Sequence, residues 1–307
     1  MQFDAVGDVY TAFVNVFRQV AGMKIVRTIV DLRRALQPLR RRAIIGLVPT
    51  MGAWHEGHVA LVRAARRQGC VTVASIFVNP AQFHDPADLV AYPRDEARDA
   101  RMAADEGVDV LFVPAVEEMY PQGFATWIDI AGVAHGLEGD RRPGHFRGVA
   151  TVCLKLFTIV DPAVSFFGQK DAQQVAVIEQ LVRDLNLPLE IRILPTVRDA
   201  DGLALSSRNV HLSAAERRRA LAIPRALHAG QTAHANGDDP IVAARAVLEG
   251  LDVDYVSVAD FSGRPTLAIA ARVGRTRLID NVRLDDDVTT RARADAADTI
   301  GQESRHV

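Results

Sequence analysis

The chain has 307 residues, 49% of them hydrophobic, and a formal net charge of −2 from 36 basic and 38 acidic side chains. That balance is ordinary for a globular chain and gives no electrostatic case for nucleic acid or a membrane surface as partner. The length suggests about two domains, and the two cysteines, Cys70 and Cys153, lie in apolar runs without metal-ligand spacing, as buried thiols in a reducing compartment would.

No apolar run reaches transmembrane length. Residues 1–22 place Phe3, Val6, Val9, Tyr10, Phe13, Val14 and Phe17 at roughly helical spacing, without the basic start and apolar core of a signal peptide. Met23 offers a second start, so this extension reads either as an appended helix or as sequence upstream of the start. Thr28 is placed to cap a helix with Asp31 three residues on.

An apolar run, Ile44–Val48, reads as a buried parallel strand and 59–65 as a helix, with Pro49-Thr50-Met51-Gly52-Ala53-Trp54-His55-Glu56-Gly57-His58 at the handover. In an open α/β sheet ligands bind at that edge. A helix start offers free N–H groups and a positive dipole end to a phosphate, and two imidazoles three apart can donate to the same anion. The spacing does not fit a zinc-protease helix, and a P-loop's Gly-Lys-Ser/Thr ending is absent.

Further along, 71–78 reads as a strand ending in Asn79-Pro80-Ala81-Gln82-Phe83, a helix runs from about Tyr92 to Gly107, and 108–113 is a third strand. Trp127–Ile130 reads as a short strand and 136–148 as a loop over the site, with His145 and Arg147 either as lid residues, the preferred reading, or as a salt-bridged helix entry. A helix at 146–160, a strand at 163–167, a helix to Leu185 and a strand at 189–194 follow. Strands alternating with helices imply a Rossmann-like parallel sheet with helices on both faces. After Pro195 the pattern changes to a smaller α+β domain: helices over 213–250, begun by a capping box at Ser213 and kinked or split at Pro224, then antiparallel strands at 253–260, 267–273 and 277–282. The divisions are a 1–22 extension, a 23–196 Rossmann-like domain, a 197–290 C-terminal domain and a 291–307 polar tail.

Two more segments suit phosphate. Gly168-Gln169-Lys170-Asp171 is a second strand-to-helix turn, with a point charge in Lys170 and an acceptor for ribose hydroxyls in Asp171. Leu205-Ser206-Ser207-Arg208 sets two hydroxyls beside a guanidinium. Gln82 and Gln174 are neutral amides able to orient a carboxylate or hydroxyl. No Ser/His/Asp triad and no acid/base carboxylate pair stand out. A site rich in phosphate binders and poor in general bases points to adenylate or nucleotidyl transfer, where positioning and charge stabilisation dominate. Mg²⁺ is expected with a triphosphate, held mainly by phosphate oxygens and water, with Asp99 as one contact, directly or through water.

The blocks 49–58, Phe-Val-Asn-Pro-Ala-Gln-Phe (77–83), Tyr-Pro-Arg (92–94), Arg-Pro-Gly-His-Phe-Arg-Gly-Val (142–149), Phe-Phe-Gly-Gln-Lys-Asp (166–171) and Asp-Gly-Leu-Ala-Leu-Ser-Ser-Arg-Asn (201–209) resemble, in order, the pantothenate synthetase (pantoate–β-alanine ligase) family. That family is similar in fold and in its two ATP signatures to class I aminoacyl-tRNA synthetases. The resemblance implies a cytoplasmic homodimer that activates pantoate as its adenylate with ATP and then joins it to β-alanine, the smaller domain acting as a lid. It implies ATP contacts at Met51, Gly52, Ala53, Trp54, His55, Glu56, Gly57, His58, Gly168, Gln169, Lys170, Asp171, Val197, Leu205, Ser206, Ser207 and Arg208. Of these, His58 is the proton donor, and His55, Lys170 and Arg208 are the other catalytic side chains. Gln82 and Gln174 would hold pantoate, Gln82 also β-alanine, and Val149, Val152 and Cys153 would shape the pocket for the gem-dimethyl group. Leu205 stands where the family commonly has Met, Ala172 where it often has Tyr, and Met102 where a metal-contacting Gln is sometimes found. An adenylyl transferase that stops after AMP transfer and a non-enzymatic nucleotide-binding protein are the competing readings. The 77–83 and 142–149 blocks argue against the first, and the presence of His55, His58, Lys170 and Arg208 argues against the second.

Overall fold

The computed structural model describes residues 22–261 and 263–286. The 1–22 extension, but for its last residue, and the 291–307 tail lie outside them. The described residues divide into two compact units, the first holding 22–197 together with Leu205–Ser207, the second holding Arg198–Ala204 and the described residues from Arg208 on.

In the first unit the elements run β1 (Lys24–Val26), α1 (Ile29–Leu36), β2 (Ile45–Thr50), α2 (Glu56–Arg67), β3 (Val71–Ile76), α3 (Pro86–Ala91), α4 (Glu96–Asp105), β4 (Val110–Phe112), α5 (Val116–Met119), α6 (Leu137–Arg141), α7 (His145–Val160), β5 (Val164–Gly168), α8 (Ala172–Asp184) and β6 (Glu190–Leu194). The six strands form one sheet in the order β1-β4-β3-β2-β5-β6, and every pairing is parallel. Sequence order steps outward from β2 through β3 to β4 on one side, then through β5 to β6 on the other. The crevice above the carboxyl ends of β2 and β5 is therefore the switch point, where such sheets bind ligands.

Both faces of the sheet are covered, and alternate strand residues say by what. Leu47, Val73, Phe112 and Phe167 pack with α1, α7 and α8, through Leu32, Leu156 and Ile178 among others. Val48, Ala74, Leu111 and Phe166 pack on the opposite face with Trp54, Val62 and Ala103 of the α2 and α4 region. Thr28 caps α1 by accepting the Asp31 N–H.

The 114–148 stretch departs from its sequence reading. Ile128 and Ile130 do alternate inward, but they pack beside Phe146, Ala150 and Val177, and the Ile128 N–H goes to Thr151 Oγ1 at 3.1 Å. The backbone is satisfied by a helix side chain instead of a ladder, and no strand forms there. Residues 136–148 are not an open loop: α6 and the first turn of α7 occupy them.

The second unit carries α9 (Ala214–Ala220), α10 (Ala222–Ala235), α11 (Pro240–Val247) and the antiparallel strands β7 (Asp252–Asp260), β8 (Pro265–Val273) and β9 (Thr276–Arg283). Ser213 and Glu216 form the expected capping box. The helical run splits at Leu221, so Pro224 falls in the first turn of α10, where its missing N–H costs nothing. The 198–204 hairpin is anchored to β9 by the Arg198–Asp280 ion pair at 2.6 Å, with both side chains nearly inaccessible, and to α9 by Arg217, which pairs with Asp199 and Asp201.

Candidate active site

At the end of β2 the chain must turn sharply, and Gly52 makes this possible: its φ is +89°, and a Cβ there would sit 3.0 Å from Asp99 Oδ2. The next residue, Ala53, is also left-handed at φ 52°. Asp99 of α4, 1% exposed, holds the strained pair. Its Oδ2 accepts the Ala53 N–H at 2.7 Å and its Oδ1 the Trp54 N–H at 2.9 Å. Thr50 Oγ1 accepts from the Gly52 N–H and the Trp54 indole N–H while donating to Ser75 O.

The two histidines cap part of this helix start themselves. The Gly57 N–H donates to His55 Nδ1 at 3.1 Å, and the His55 N–H donates to His58 Nδ1 at 3.3 Å. A backbone N–H can only donate, so both Nδ1 atoms are unprotonated, and each neutral ring carries its hydrogen on Nε2. The turn can thus offer an anion two imidazole N–H donors. Loss of hydration holds His58 down to about 3, helped by His55 and Lys170 and opposed by Asp171. His58 is therefore a neutral donor at neutral pH.

The second turn follows β5, the strand paired in parallel with β2. Lys170 and Asp171, in the 3-10 turn Gln169–Asp171 after β5, act on His58 although more than 100 residues separate them in the chain. Lys170 Nζ lies 3.6 Å from Asp171 Oδ1. Helix α8 continues directly from this turn, with no side-chain cap hydrogen bond at its start.

The third wall comes from the β3 end and α7. Gln82, buried in the 3-10 turn Pro80–Gln82, directs Nε2 at Met51 Sδ, 3.0 Å away. Its own carbonyl accepts from His145 Nδ1 at 2.8 Å, and Arg142 faces His145 Nε2 at 3.2 Å. The guanidinium only donates, so Nε2 accepts and Nδ1 carries the proton. Burial, then Arg142, pushes His145 down to about 4. Of the two readings of this segment, the structure matches the helix entry and not the lid: His145 is a buried helix start whose ring is committed to the Gln82 backbone. Arg147 pairs with Asp129 and stands over the Trp127 ring. Val149, Val152 and Cys153 are buried together in the apolar cluster behind this wall, and burial pushes the Cys153 thiol up to about 12. Gln174 is half-buried on α8. Its neighbour Gln173, which the sequence reading passed over, ties down 133–138 through the carbonyls of Val133, His135 and Gly136.

Val197 and Leu205 meet through a backbone hydrogen bond of 3.0 Å from the Leu205 N–H. Leu205, Ser206 and Ser207 group with the first unit, and Arg208 with the second. The suggested metal contact Asp99 has another occupation, since both its oxygens hold backbone N–H groups. Among the described residues no cluster of three or more His, Cys, Asp or Glu could hold a metal ion. The side chains here do not make a metal cage.

Similarity to known proteins identifies the family. The family model for pantoate-beta-alanine ligase matches residues 24–283. A pantothenate synthetase of Moorella thermoacetica is 50% identical over 280 residues, covering 86% of this chain and 99% of that protein. A crystal structure of pantothenate synthetase from Thermus thermophilus superposes with a TM-score of 0.81 at 43% identity, covering 85% of this chain and 99% of that one. A pantoate-beta-alanine ligase from Francisella tularensis, solved in complex with beta-gamma ATP and beta-alanine, gives a TM-score of 0.77 at 35% identity, covering 87% and 99%. The chain belongs to the pantoate-beta-alanine ligase family.

Proposed function

We propose that the chain condenses pantoate with β-alanine at the expense of ATP, through a pantoyl adenylate. The observation that carries this reading is the parallel pairing of β2 with β5, which sets the His55/His58 turn and the Lys170/Asp171 turn on neighbouring strand ends, with the Gln82 amide on Met51 of the first turn. In the first step a pantoate carboxylate oxygen attacks the α-phosphorus, and the bond to pyrophosphate breaks. In the second the β-alanine amine attacks the acyl carbon, AMP leaves with the bonding electrons, and the nitrogen loses its proton. No residue needs to form a covalent intermediate. The protein supplies alignment and charge: imidazole Nε2–H donors, the Lys170 ammonium and the Arg208 guanidinium as the α-phosphorus becomes five-coordinate. His58, held neutral, fits the role of hydrogen-bond donor better than that of an acid releasing its proton.

Residues 51–58, 168–171, Val197 and 205–208 are read as ATP contacts, Gln82 and Gln174 as pantoate contacts, and Gln82 also as a β-alanine contact. Mg²⁺ would arrive with the triphosphate, held by its oxygens and water, and no step is assigned to it. A cytoplasmic homodimer belongs to the same reading on the family resemblance. The net charge of −2 gives no electrostatic case for a nucleic-acid or membrane partner, and among the described residues no helix is long and apolar enough to cross a membrane. The test is AMP release from ATP and pantoate with and without β-alanine. Enzyme-bound pantoyl adenylate without the amine, and turnover with it, are expected. AMP release indifferent to pantoate would overturn the reading.

A further inference from the structure

The Gln82 carboxamide has two ends, and which one faces the substrate decides what the pocket can recognise. The answer follows from groups whose hydrogen-bonding sense is fixed. Asn79, 1% exposed, sits between a backbone donor and a backbone acceptor: the Ala81 N–H lies 3.2 Å from one end of its amide and the Gly148 carbonyl 3.1 Å from the other. An N–H can only donate and a carbonyl can only accept, so Oδ1 must face Ala81 and Nδ2 must face Gly148. Nδ2 has a second hydrogen, and it points at the Gln82 amide, 3.1 Å away. The end of Gln82 that meets it has to be Oε1. Nε2 is then left facing the weak acceptor Met51 Sδ, on the 51–58 turn.

A single residue from outside the β3 turn reinforces this order. Tyr120, just after α5, donates its hydroxyl to Asn79 Oδ1 at 2.9 Å. Its ring is stacked at 5.9 Å on Trp127 and tilted at 6.1 Å against Phe77, so the hydroxyl is held where it is. We propose that Tyr120 is a positioning residue for substrate recognition: through Asn79 it fixes the Gln82 amide so that only N–H is offered to the ligand. The pocket wall at Gln82 therefore reads a hydrogen-bond acceptor, a carboxylate or hydroxyl oxygen, and gives no purchase to a group that can only donate, such as an ammonium. Burial pushes the Tyr120 phenol well above its usual range, so it remains an O–H donor across the working pH. The inference rests on the ligase reading above and refines its pantoate site.

The experiment measures AMP release while pantoate and ATP are varied separately, in the parent, Tyr120→Phe, Asn79→Asp and the double variant. Tyr120→Phe keeps the ring and removes the hydroxyl, and the pantoate KM should rise about five- to tenfold, the scale of one lost hydrogen bond. The ATP KM should stay within about twofold, since no ATP contact moves. Asn79→Asp leaves only acceptors facing Gln82, so the Gln82 amide must flip and present oxygen to the ligand. Its pantoate KM should rise further than that of Tyr120→Phe. In the double variant the loss of the hydroxyl should add little to Asn79→Asp, because the hydroxyl then has no amide to orient. A pantoate KM unchanged in Tyr120→Phe, an equal rise for ATP and pantoate, or simple additivity in the double variant would each overturn the proposal while leaving the ligase reading intact. A parent that releases no pantoate-dependent AMP would instead overturn that reading, and this inference with it.

Discussion

His55 and His58 cap each other across the first turn of α2, their ring centroids 4.2 Å apart, each Nδ1 taking a backbone N–H of the same turn. The pair therefore has two duties that a substitution can separate: closing the helix end through Nδ1, and donating through Nε2–H. His58→Ala removes both. Its AMP formation should fall roughly 30-fold or more, about 2 kcal/mol in barrier, as for loss of one oriented donor. His58→Asn can still offer an oxygen to the His55 N–H but lacks the reach of Nε2. It should keep parental stability in denaturant unfolding and still lose AMP formation. Near-parental turnover in either variant would remove His58 from the chemistry.

Asp99 gives a prediction that separates a turn clamp from a metal ligand. Asp99→Ala strands the Ala53 and Trp54 N–H groups, the latter in a buried residue, and should destabilise the fold by roughly 1–3 kcal/mol. It should also raise the ATP KM more than the pantoate KM, since the 52–54 turn positions His55 and His58. Asp99→Asn retains one acceptor oxygen and should fall between parent and Ala. Raising the magnesium concentration should rescue neither variant. Recovery with added magnesium would restore the metal-contact assignment.

The pH dependence of stability follows from His145. Its ring is ordinary in the unfolded chain, near 6.5, and pushed down to about 4 in the fold by burial and by Arg142, against opposing contributions from the Gln82 carbonyl, Glu138 and Asp171. Between those values the unfolded chain binds more protons, so stability is fully present above about pH 6.5 and declines as pH falls toward 4. His58 acts in the same direction, down to about 3. His145→Gln cannot take up that proton. The difference in unfolding free energy between parent and variant should narrow as pH drops from 7 to about 4.5, by up to about 1.4 kcal/mol per pH unit inside the window. A difference that does not change with pH would show that the ring is not kept neutral by the fold.

What the sequence could reveal depended on whether a residue's partners were near it in the chain. The β2–turn–α2 unit was legible because an apolar run, two glycines and a helical stripe are all local signals. The sheet's switch point followed from the alternation of strands and helices. β1 was not legible: it has three residues, two of them exposed, and exists by pairing with β4, more than 80 residues on. Trp127–Ile130 was over-read because inward alternation looks the same whether the backbone joins a ladder or gives its N–H to Thr151. The self-capping of α2 was hidden because His-x-Gly-His reads as two ligand donors until the Nδ1 contacts are seen. The commitments of His145 and Asp99 were hidden for another reason, since their partners are 63 and 45 or 46 residues away.

Gly148 shows how a residue outside the pocket can still govern it. It lies in the first turn of the α7 helix, where that helix packs against the Pro80–Gln82 turn, and a Cβ there would meet the Ala81 carbonyl oxygen at 2.3 Å and the Gln82 N at 2.6 Å. Those atoms are backbone, so Gly148→Ala must push the turn that carries Gln82 away from α7 or tilt the helix. The shift also lengthens the Asn79 Nδ2 bond to the Gly148 carbonyl. Overpacking of this kind typically costs about 1–3 kcal/mol. Because the displaced segment holds Gln82 and not the histidine turn, the pantoate KM should rise several-fold, about tenfold if one buried hydrogen bond to substrate is lost, while ATP affinity changes little. Calorimetry of ATP binding beside pantoate-dependent AMP release separates the two effects. If ATP affinity fell in step with the pantoate dependence, the helix–turn contact would be serving the whole sheet edge and not the amide wall.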